Sequence, residues 1–268
     1  MAILEKMEGG PNPFVQLKQD EYWLAFGFTI SSFDIISATV VALVQFGDAG
    51  CVFSLFGDLA ISYPPDVPIE ARLFNIEVLI MAELNFIDDV FKLEAALAPT
   101  SFYLVPFCRL SGGMALYTFF GNSPHAGDWV LTVGGYHRQF KPPTWYPTPA
   151  RIALDFNISI IHIHGEGYFA ITPKAIMVGL MIRCELSLGP VYAWLDAAFD
   201  GKLAFRCIGD CADKFAAMVQ FSPLHYWVSM SVDVGVECDI PLLFCTIHIR
   251  ITIGAELDIQ GPQFGGTA

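Results

Sequence analysis

Two histidines and a glutamate alternate along one stretch of the chain, at a spacing suited to proton transfer or metal binding. They are His162, His164 and Glu166. Residues two apart in a β-strand share one face, so the three side chains would project together. Imidazole and carboxylate are general acid–base groups and also ligands for zinc or iron. Because ligands spaced along one straight strand converge poorly on an ion, we predict catalytic roles for Glu166 and His164 and no metal. The alternative is the solvated polar face of an amphipathic strand.

A third candidate acid lies in the segment WLDAAFD. Asp196 and Asp200 are four residues apart and would share a strand face with Trp194. An aspartate beside a tryptophan can lose hydration and have a raised pKa, which suits a general acid. We therefore predict that Asp196 is catalytic. The alternative is an outward polar face followed by a turn at Asp200-Gly201.

The segment GGYHRQFKPPTWYP, residues 134–147, differs from the rest of the chain. No Asp or Glu occurs from Trp129 to Leu154, and the prolines fix the backbone as an ordered loop. We predict a clamp at a barrel mouth for the carboxylate or diphosphate of an apolar molecule. The predicted ligand-binding residues are Tyr136, His137, Arg138, Lys141, Trp145, Tyr146 and Arg151. The alternative is a rigid crossover loop. No cofactor is expected, except Mg²⁺ if the ligand is a diphosphate.

The elements that must position these residues are predicted to be β-strands. In Thr246–Ile259 every second residue is apolar and the residues between are largely polar, and Arg72–Asn85 and Ile160–Phe169 alternate similarly. Other segments are apolar on both faces, which predicts strands buried on both sides. They are Tyr22–Ile30, Ile35–Phe46, Val52–Leu59 and Met114–Phe120. Turn signals separate these segments, among them Asp88-Asp89, Gly189-Pro190 and Asp200-Gly201.

We therefore predict an all-β fold, a large antiparallel meander closed into a barrel or strongly curved sheet. Residues 1–20 are predicted to form an N-terminal arm, and residues 21–268 a single β domain. At most one short helix is expected, at Ala212–Phe221, and this segment could equally be an insertion between strands.

Composition narrows the function further. Twenty-seven acidic residues against fourteen Lys and Arg give a formal net charge of −13, which argues against nucleic acid and against a polybasic membrane patch. No transmembrane segment or signal peptide is expected, and seven cysteines without a CxxC pattern predict reduced thiols in a cytoplasmic protein. A Cys207–Cys211 pair that responds to oxidants or metal is the alternative. A hydrophobic content of 54% with 23 Phe predicts complete burial, an apolar cavity or an exposed apolar surface.

Several segments resemble an uncharacterised bacterial and fungal family of unknown function. They are HAGDWVLTVGGYH (125–137), FKPPTWYP (140–147), GEGYFAITP (165–173), AWLDAAFD (193–200), PLHYW (223–227) and GAELDIQGPQFGGTA (254–268). The resemblance covers the chain from about residue 70 onward, and residues 205–221 depart from it as an insertion. It implies a β-rich fold, often within much larger chains, and no activity.

These features predict a protein that binds a small apolar molecule, isoprenoid- or polyketide-like. If it is an enzyme, acid/base-assisted cyclisation or isomerisation is the expected reaction. The alternative is a non-catalytic assembly module that associates with its own copies or with other chains.

Overall fold

The structure is a computed structural model that describes residues 21–204, 225–241, 246–261 and 265–267. Those ranges contain sixteen β-strands, one 3-10 turn at Ile69–Ala71, and no α-helix. The strands are β1 (Glu21–Ser32), β2 (Ile36–Gly47), β3 (Gly50–Tyr63), β4 (Phe74–Asn85), β5 (Val90–Leu97), β6 (Phe102–Tyr103), β7 (Cys108–Ser111), β8 (Gly113–Phe119), β9 (Trp129–Val133), β10 (Ile152–Ile158), β11 (Ile161–Thr172), β12 (Ala175–Leu188), β13 (Val191–Ala204), β14 (His225–Pro241), β15 (Thr246–Gly261) and β16 (Gly265–Thr267). All pair antiparallel, which confirms the predicted fold class.

All sixteen strands belong to one sheet, which forks at two strands. One edge of β4 pairs with β3 and its other edge with β5 and β6. One edge of β11 pairs with β12 and its other edge with β9 and β10. Because β7 joins β6 to β10, the strands β4-β5-β8-β9-β11-β10-β7-β6 form a closed ring. The remaining strands extend the ring as an N-terminal wing, β1–β3, and a C-terminal wing, β12–β16.

The pleat divides the sheet into two faces of different character. One face, here called the apolar face, carries a hydrophobic side chain at matching positions of nine consecutive strands. That row is Phe26, Ala42, Leu55, Ala82, Leu93, Leu116, Leu131, Ile171 and Ile176. The opposite face, here called the mixed face, carries both polar and apolar side chains.

Burial follows the mixed face rather than the apolar face. Thirty large apolar side chains that are more than a third exposed lie on the apolar face of the described strands. Two such side chains, Trp23 and Leu79, lie on the mixed face. Among the strand residues that the structure describes, Cys108 is the one buried hydrophobic residue on the apolar face. The main buried cluster lies on the mixed face, under the loop of residues 134–151. It contains Val130, Tyr136, Tyr146, Tyr168, Ala170, Ala175 and Met177.

The predicted burial of β1, β2 and β3 on both sides is wrong, since all three carry exposed apolar side chains, and so is one predicted turn. The segment Tyr22–Ile30 does lie within a strand, but β1 is exposed on nearly its whole length rather than buried on both sides. It pairs with β2 along one edge, and no second layer of the described residues covers either face. Asp200-Gly201 is not a turn, because both residues lie inside β13 and pair with Ser229 and Val228 of β14.

The other turn predictions named above are confirmed. Asp88-Asp89 lies in the turn between β4 and β5, and Gly189-Pro190 lies between β12 and β13. The predicted helix at residues 212–221, the predicted arm at residues 1–20 and the Cys207–Cys211 pair lie outside the described residues.

Candidate functional site

The 134–151 loop, predicted to be an anion clamp, packs on the mixed face, and its polar groups are engaged within the protein. Arg151 donates hydrogen bonds to the carbonyl oxygens of Gly134 (3.0 Å) and Tyr136 (2.7 Å), and its guanidinium lies 4.0 Å from the centroid of the Tyr168 ring. The Tyr136 hydroxyl donates to the Pro147 carbonyl oxygen at 2.8 Å. Gly134 has a φ of +71°, and a Cβ there would lie 2.4 Å from the Gly167 carbonyl oxygen. These contacts fix the loop against β11.

The aromatic residues at the far end of the loop converge on one aspartate. The Tyr146 hydroxyl donates to Oδ1 of Asp128 at 2.6 Å, and the Trp145 indole N–H donates to Oδ2 at 3.1 Å. Burial, with the Asp128 hydrogen bond second, raises the pKa of Tyr146. Trp145 also stacks on His125 at a centroid separation of 3.9 Å. Asp128 is therefore a structural acceptor that the sequence analysis did not single out.

His137 is buried in the loop and lies over the mixed face of β13. Its Nδ1 accepts the Gln139 backbone N–H at 3.0 Å, and its Nε2 lies 3.4 Å from Oδ2 of Asp200. The Tyr168 hydroxyl donates to the other oxygen of Asp200. Burial lowers the pKa of His137, and the Asp200 carboxylate opposes this only in part. A lowered pKa disfavours the charged imidazolium, so the surroundings of His137 do not favour binding an anion.

Arg138 and Lys141 are the exposed cations of the loop. At Trp145 of the same loop, an open cleft of about 620 Å³ is lined by Trp145 and His125 together with Asp88, Asp89 and Lys92. Asp89 accepts the Asn122 backbone N–H at 2.6 Å. The structure therefore places one predicted ligand-binding residue, Trp145, in a cleft that also presents two carboxylates.

Two of the predicted acid–base residues are neighbours on β11. His164 Nε2 lies 3.1 Å from Oε1 of Glu166, and its Nδ1 lies 3.2 Å from Oδ2 of Asp155 on β10. The Glu166 contact, followed by the Asp155 contact, raises the pKa of His164 despite partial burial. His162 also contacts Asp155, at 3.3 Å. Partial burial acts to raise the pKa of Asp155, but the hydrogen bonds from both histidines outweigh it and lower that pKa.

Asp196, the third predicted acid, joins the same surface through an arginine. Arg183 of β12 pairs in register with His164 on one side and with Asp196 on the other. Its Nε lies 3.2 Å from Asp196 and 2.9 Å from Glu185. Sequence analysis missed Asp155, Arg183 and Glu185, because they become neighbours of His162 or His164 only once the register of β10–β12 is known.

All ten predicted site residues thus belong to the mixed face or to the loop that packs on it. Glu166, His164 and Asp196 have their neighbours along each strand, such as Gly165 and Leu195, on the apolar face. The sheet backbone separates them from anything bound to the apolar face. The catalytic roles of Glu166, His164 and Asp196 stay predictions, because their contacts do not test them.

The described residues contain neither a metal-binding cluster nor a membrane-spanning helix. No group of three or more His, Cys, Asp or Glu residues is arranged there to hold a metal ion. No helix in those ranges has the length and apolar character needed to cross a membrane.

Comparison with known proteins gives a family but no activity. The chain belongs to DUF6603, a family of unknown function, and the match covers residues 1–268. Searches against curated proteins and against solved structures found no match. The resemblance to a family of unknown function is confirmed, and it extends over residues 1–268 rather than from about residue 70 onward. The occurrence of the family in bacteria and fungi stays a prediction.

Proposed function

We propose that this member of the DUF6603 family is a non-catalytic binding module that holds apolar molecules on the apolar face of its sheet. One observation carries the proposal: the apolar side chains of that face are exposed while the core lies on the mixed face. Ile253 is 75% exposed, Leu24 63% and Leu180 54%, on strands far apart in the sheet. Large contiguous apolar patches on proteins are characteristic of binding surfaces.

The geometry favours binding over catalysis. A molecule on the apolar face would meet hydrocarbon side chains, whereas the candidate acids and bases project from the opposite face. General acid–base catalysis needs a proton donor or acceptor within hydrogen-bonding reach of the reacting atom. The predicted cyclisation or isomerisation therefore has no role in this proposal.

A fluorescence titration with the uncharged, polarity-sensitive dye Nile red tests the proposal. Ile253 and Thr252 are adjacent, exposed and on opposite faces of β15. Ile253→Glu should weaken dye binding about five-fold, because it replaces an apolar contact worth about 1 kcal/mol with a charge. Thr252→Glu, which adds the same charge to the mixed face, should change binding less than about two-fold. Equal effects of the two substitutions would contradict the proposal.

An assembly role is the second candidate, and the size of the apolar face favours it. Thirteen strands spaced about 4.8 Å apart, with an average length of about 37 Å, give a face of about 2,300 Å² per copy. A standard protein interface buries about 800 Å² per partner. Two copies packed through this face would form an extensive sandwich, and size-exclusion chromatography with light scattering would detect the dimer.

A further inference from the structure

The five strands β11–β15 present the purest part of the apolar face. Apart from Tyr226 at one end of β14, those of their apolar-face positions whose side chains the structure describes hold only aliphatic or aromatic hydrocarbon, methionine, glycine, alanine and two thiols. The positions are 161–171 (odd), 176–188 (even), 191–201 (odd), 228–238 (even) and 247–259 (odd). The thiols, Cys184 and Cys238, are weak hydrogen-bonding groups. Across this surface the side chains offer a partner almost nothing but hydrocarbon.

This composition distinguishes a hydrocarbon occupant from a protein. Protein interfaces carry about one hydrogen bond per 100–200 Å², and even homodimer interfaces are only about 65% apolar. Among the described residues, the β11–β15 surface has one hydroxyl, that of Tyr226 at one end of β14, and no amide or charged side chain with which to make such bonds or to fix a partner's orientation. Lipid tails are as apolar as leucine and need no such bonds.

Resting on the proposed function, we infer that the occupant is the acyl chains of lipid molecules laid on the β11–β15 surface. The dimensions fit this ligand. From Ile247 to Ile259 the surface extends about 40 Å along β15, and five strands span about 19 Å. The hydrocarbon of one bilayer leaflet is about 15 Å thick, so an acyl chain at the length it has in a bilayer fits in either direction. Several chains fit side by side.

The charges of the protein determine which lipid head groups are favoured. The chain has a formal net charge of −13. Of the cations on β12 and β15, Arg183 is paired with Glu185 and Asp196, and Arg250 lies over the Trp194 ring at 5.0 Å, both on the mixed face. Within the described residues, the apolar face of β11–β15 offers no Lys or Arg to an anionic head group. Zwitterionic or uncharged lipids are therefore the preferred ligands, because anionic ones are repelled by the protein's net charge.

Lipid extraction tests the inference. The full chain is incubated at low ionic strength with vesicles of pure phosphatidylcholine, vesicles of pure phosphatidylserine, or a squalene emulsion, then isolated free of them. Bound lipid is measured by mass spectrometry. Phosphatidylcholine should be retained about five-fold more than phosphatidylserine, the factor expected for about 1 kcal/mol of repulsion.

Matched variants locate the binding. Val234 and Ile253 pair across β14 and β15 on the apolar face, while Thr252 and Gln260 lie on the mixed face of β15. Val234→Glu/Ile253→Glu should retain at least about five-fold less phosphatidylcholine. Thr252→Glu/Gln260→Glu, with the same charge change, should retain the wild-type amount. Circular dichroism serves as the control, and both variants should keep the β fold of the wild-type protein.

The other outcomes separate the two proposals. Retention of squalene without phosphatidylcholine would overturn the acyl-lipid inference and leave the proposed function standing. Retention of no apolar molecule would overturn both. A lipid-free dimer that dissociates on Val234→Glu/Ile253→Glu would show that a second copy occupies the face and would also overturn the inference. Phosphatidylserine retained equally with phosphatidylcholine would refute the head-group preference.

Discussion

Two adjacent rows of side chains across the same five strands show how differently the two faces of the sheet are built. The apolar-face row is Ile163, Cys184, Leu195, Val234 and Ile253. The mixed-face row, one residue further along β11, is His164, Arg183, Asp196, Asp233 and Gly254. One row is hydrocarbon and thiol, and the other is largely ionic. The pleat alone separates them.

Burial in the protein does not follow this polarity. The core lies where the 134–151 loop covers the mixed face, with Val130 and Met177 fully buried. On the apolar face Val234 is 44% exposed and Met230 is 40% exposed. This apolar yet open face is the observation on which the proposed binding role rests, whereas the buried side chains of the described residues lie mainly on the other face.

The largest contrast should come from matched methionines. Met177 is fully buried on the mixed face, and Met230 is on the apolar face. Met177→Ala should lower the free energy of unfolding by about 2–5 kcal/mol, because it removes buried contacts and leaves a cavity. Met230→Ala should lower it by less than about 1 kcal/mol, because the side chain is partly in water already. Urea denaturation measures both, and similar losses would show that the apolar face is covered in solution.

Matched glycines give a smaller contrast. A Cβ at Gly179 on the mixed face would lie 2.2 Å from the Tyr168 ring, whereas one at Gly165 on the apolar face has its nearest neighbour at 3.9 Å. Gly179→Ala should destabilise the protein by about 1–3 kcal/mol through overpacking. Gly165→Ala should leave stability unchanged or raise it by up to about 1 kcal/mol. Thermal denaturation compares the two, and a reversed order would contradict the assignment of faces.

The histidines of the mixed face should titrate in opposite directions. NMR titration should place the pKa of His164 above the ordinary value and that of His137 below it. Because the His164 pKa is raised on folding, its contribution to stability is present below about 6.5 and is lost as pH rises through the folded value. Because the His137 pKa is lowered, stability falls as pH drops below about 6.5. His164→Gln should therefore cost more stability at pH 5.5 than at pH 8. An unchanged cost would contradict the pairing with Glu166 and Asp155.

The smallest effect is expected at the exposed cations of the loop. Arg138→Ala/Lys141→Ala should change stability by less than about 0.5 kcal/mol. It should change binding of decanoate, an anionic apolar ligand, by less than about two-fold, since exposed charges contribute little. A loss of decanoate binding with Nile red binding intact would instead support the anion clamp predicted for residues 134–151.

Much of the fold could be predicted because period-two alternation is a local property of the chain. The alternation in Thr246–Ile259 predicts β15 and the side on which each isoleucine lies, and the structure agrees. The predicted burial of β1 failed for a physical reason. Apolar composition shows that a face avoids water, and only the three-dimensional arrangement shows whether this chain or another molecule covers it.

The candidate site was harder to predict. The two β11 histidines are visible in sequence, but Asp155 and Arg183 approach them through pairing with β10 and β12. The alternative interpretation of the 134–151 segment as a rigid crossover loop agrees with the hydrogen bonds that Arg151 donates to the backbone carbonyl oxygens of Gly134 and Tyr136, within the same loop. Sequence could not show this, because those acceptors are carbonyl groups that every residue carries.

Photo-crosslinking with a phosphatidylcholine that carries a diazirine midway along one acyl chain tests the central claim most directly. Peptide mapping by mass spectrometry should find adducts at the odd-numbered residues 247–259 of β15 and at their partners Val232, Val234 and Val236 on β14. The even-numbered residues of β15 and the 134–151 loop should remain unlabelled. Labelling of the mixed face, or labelling with no alternation along β15, would contradict the account.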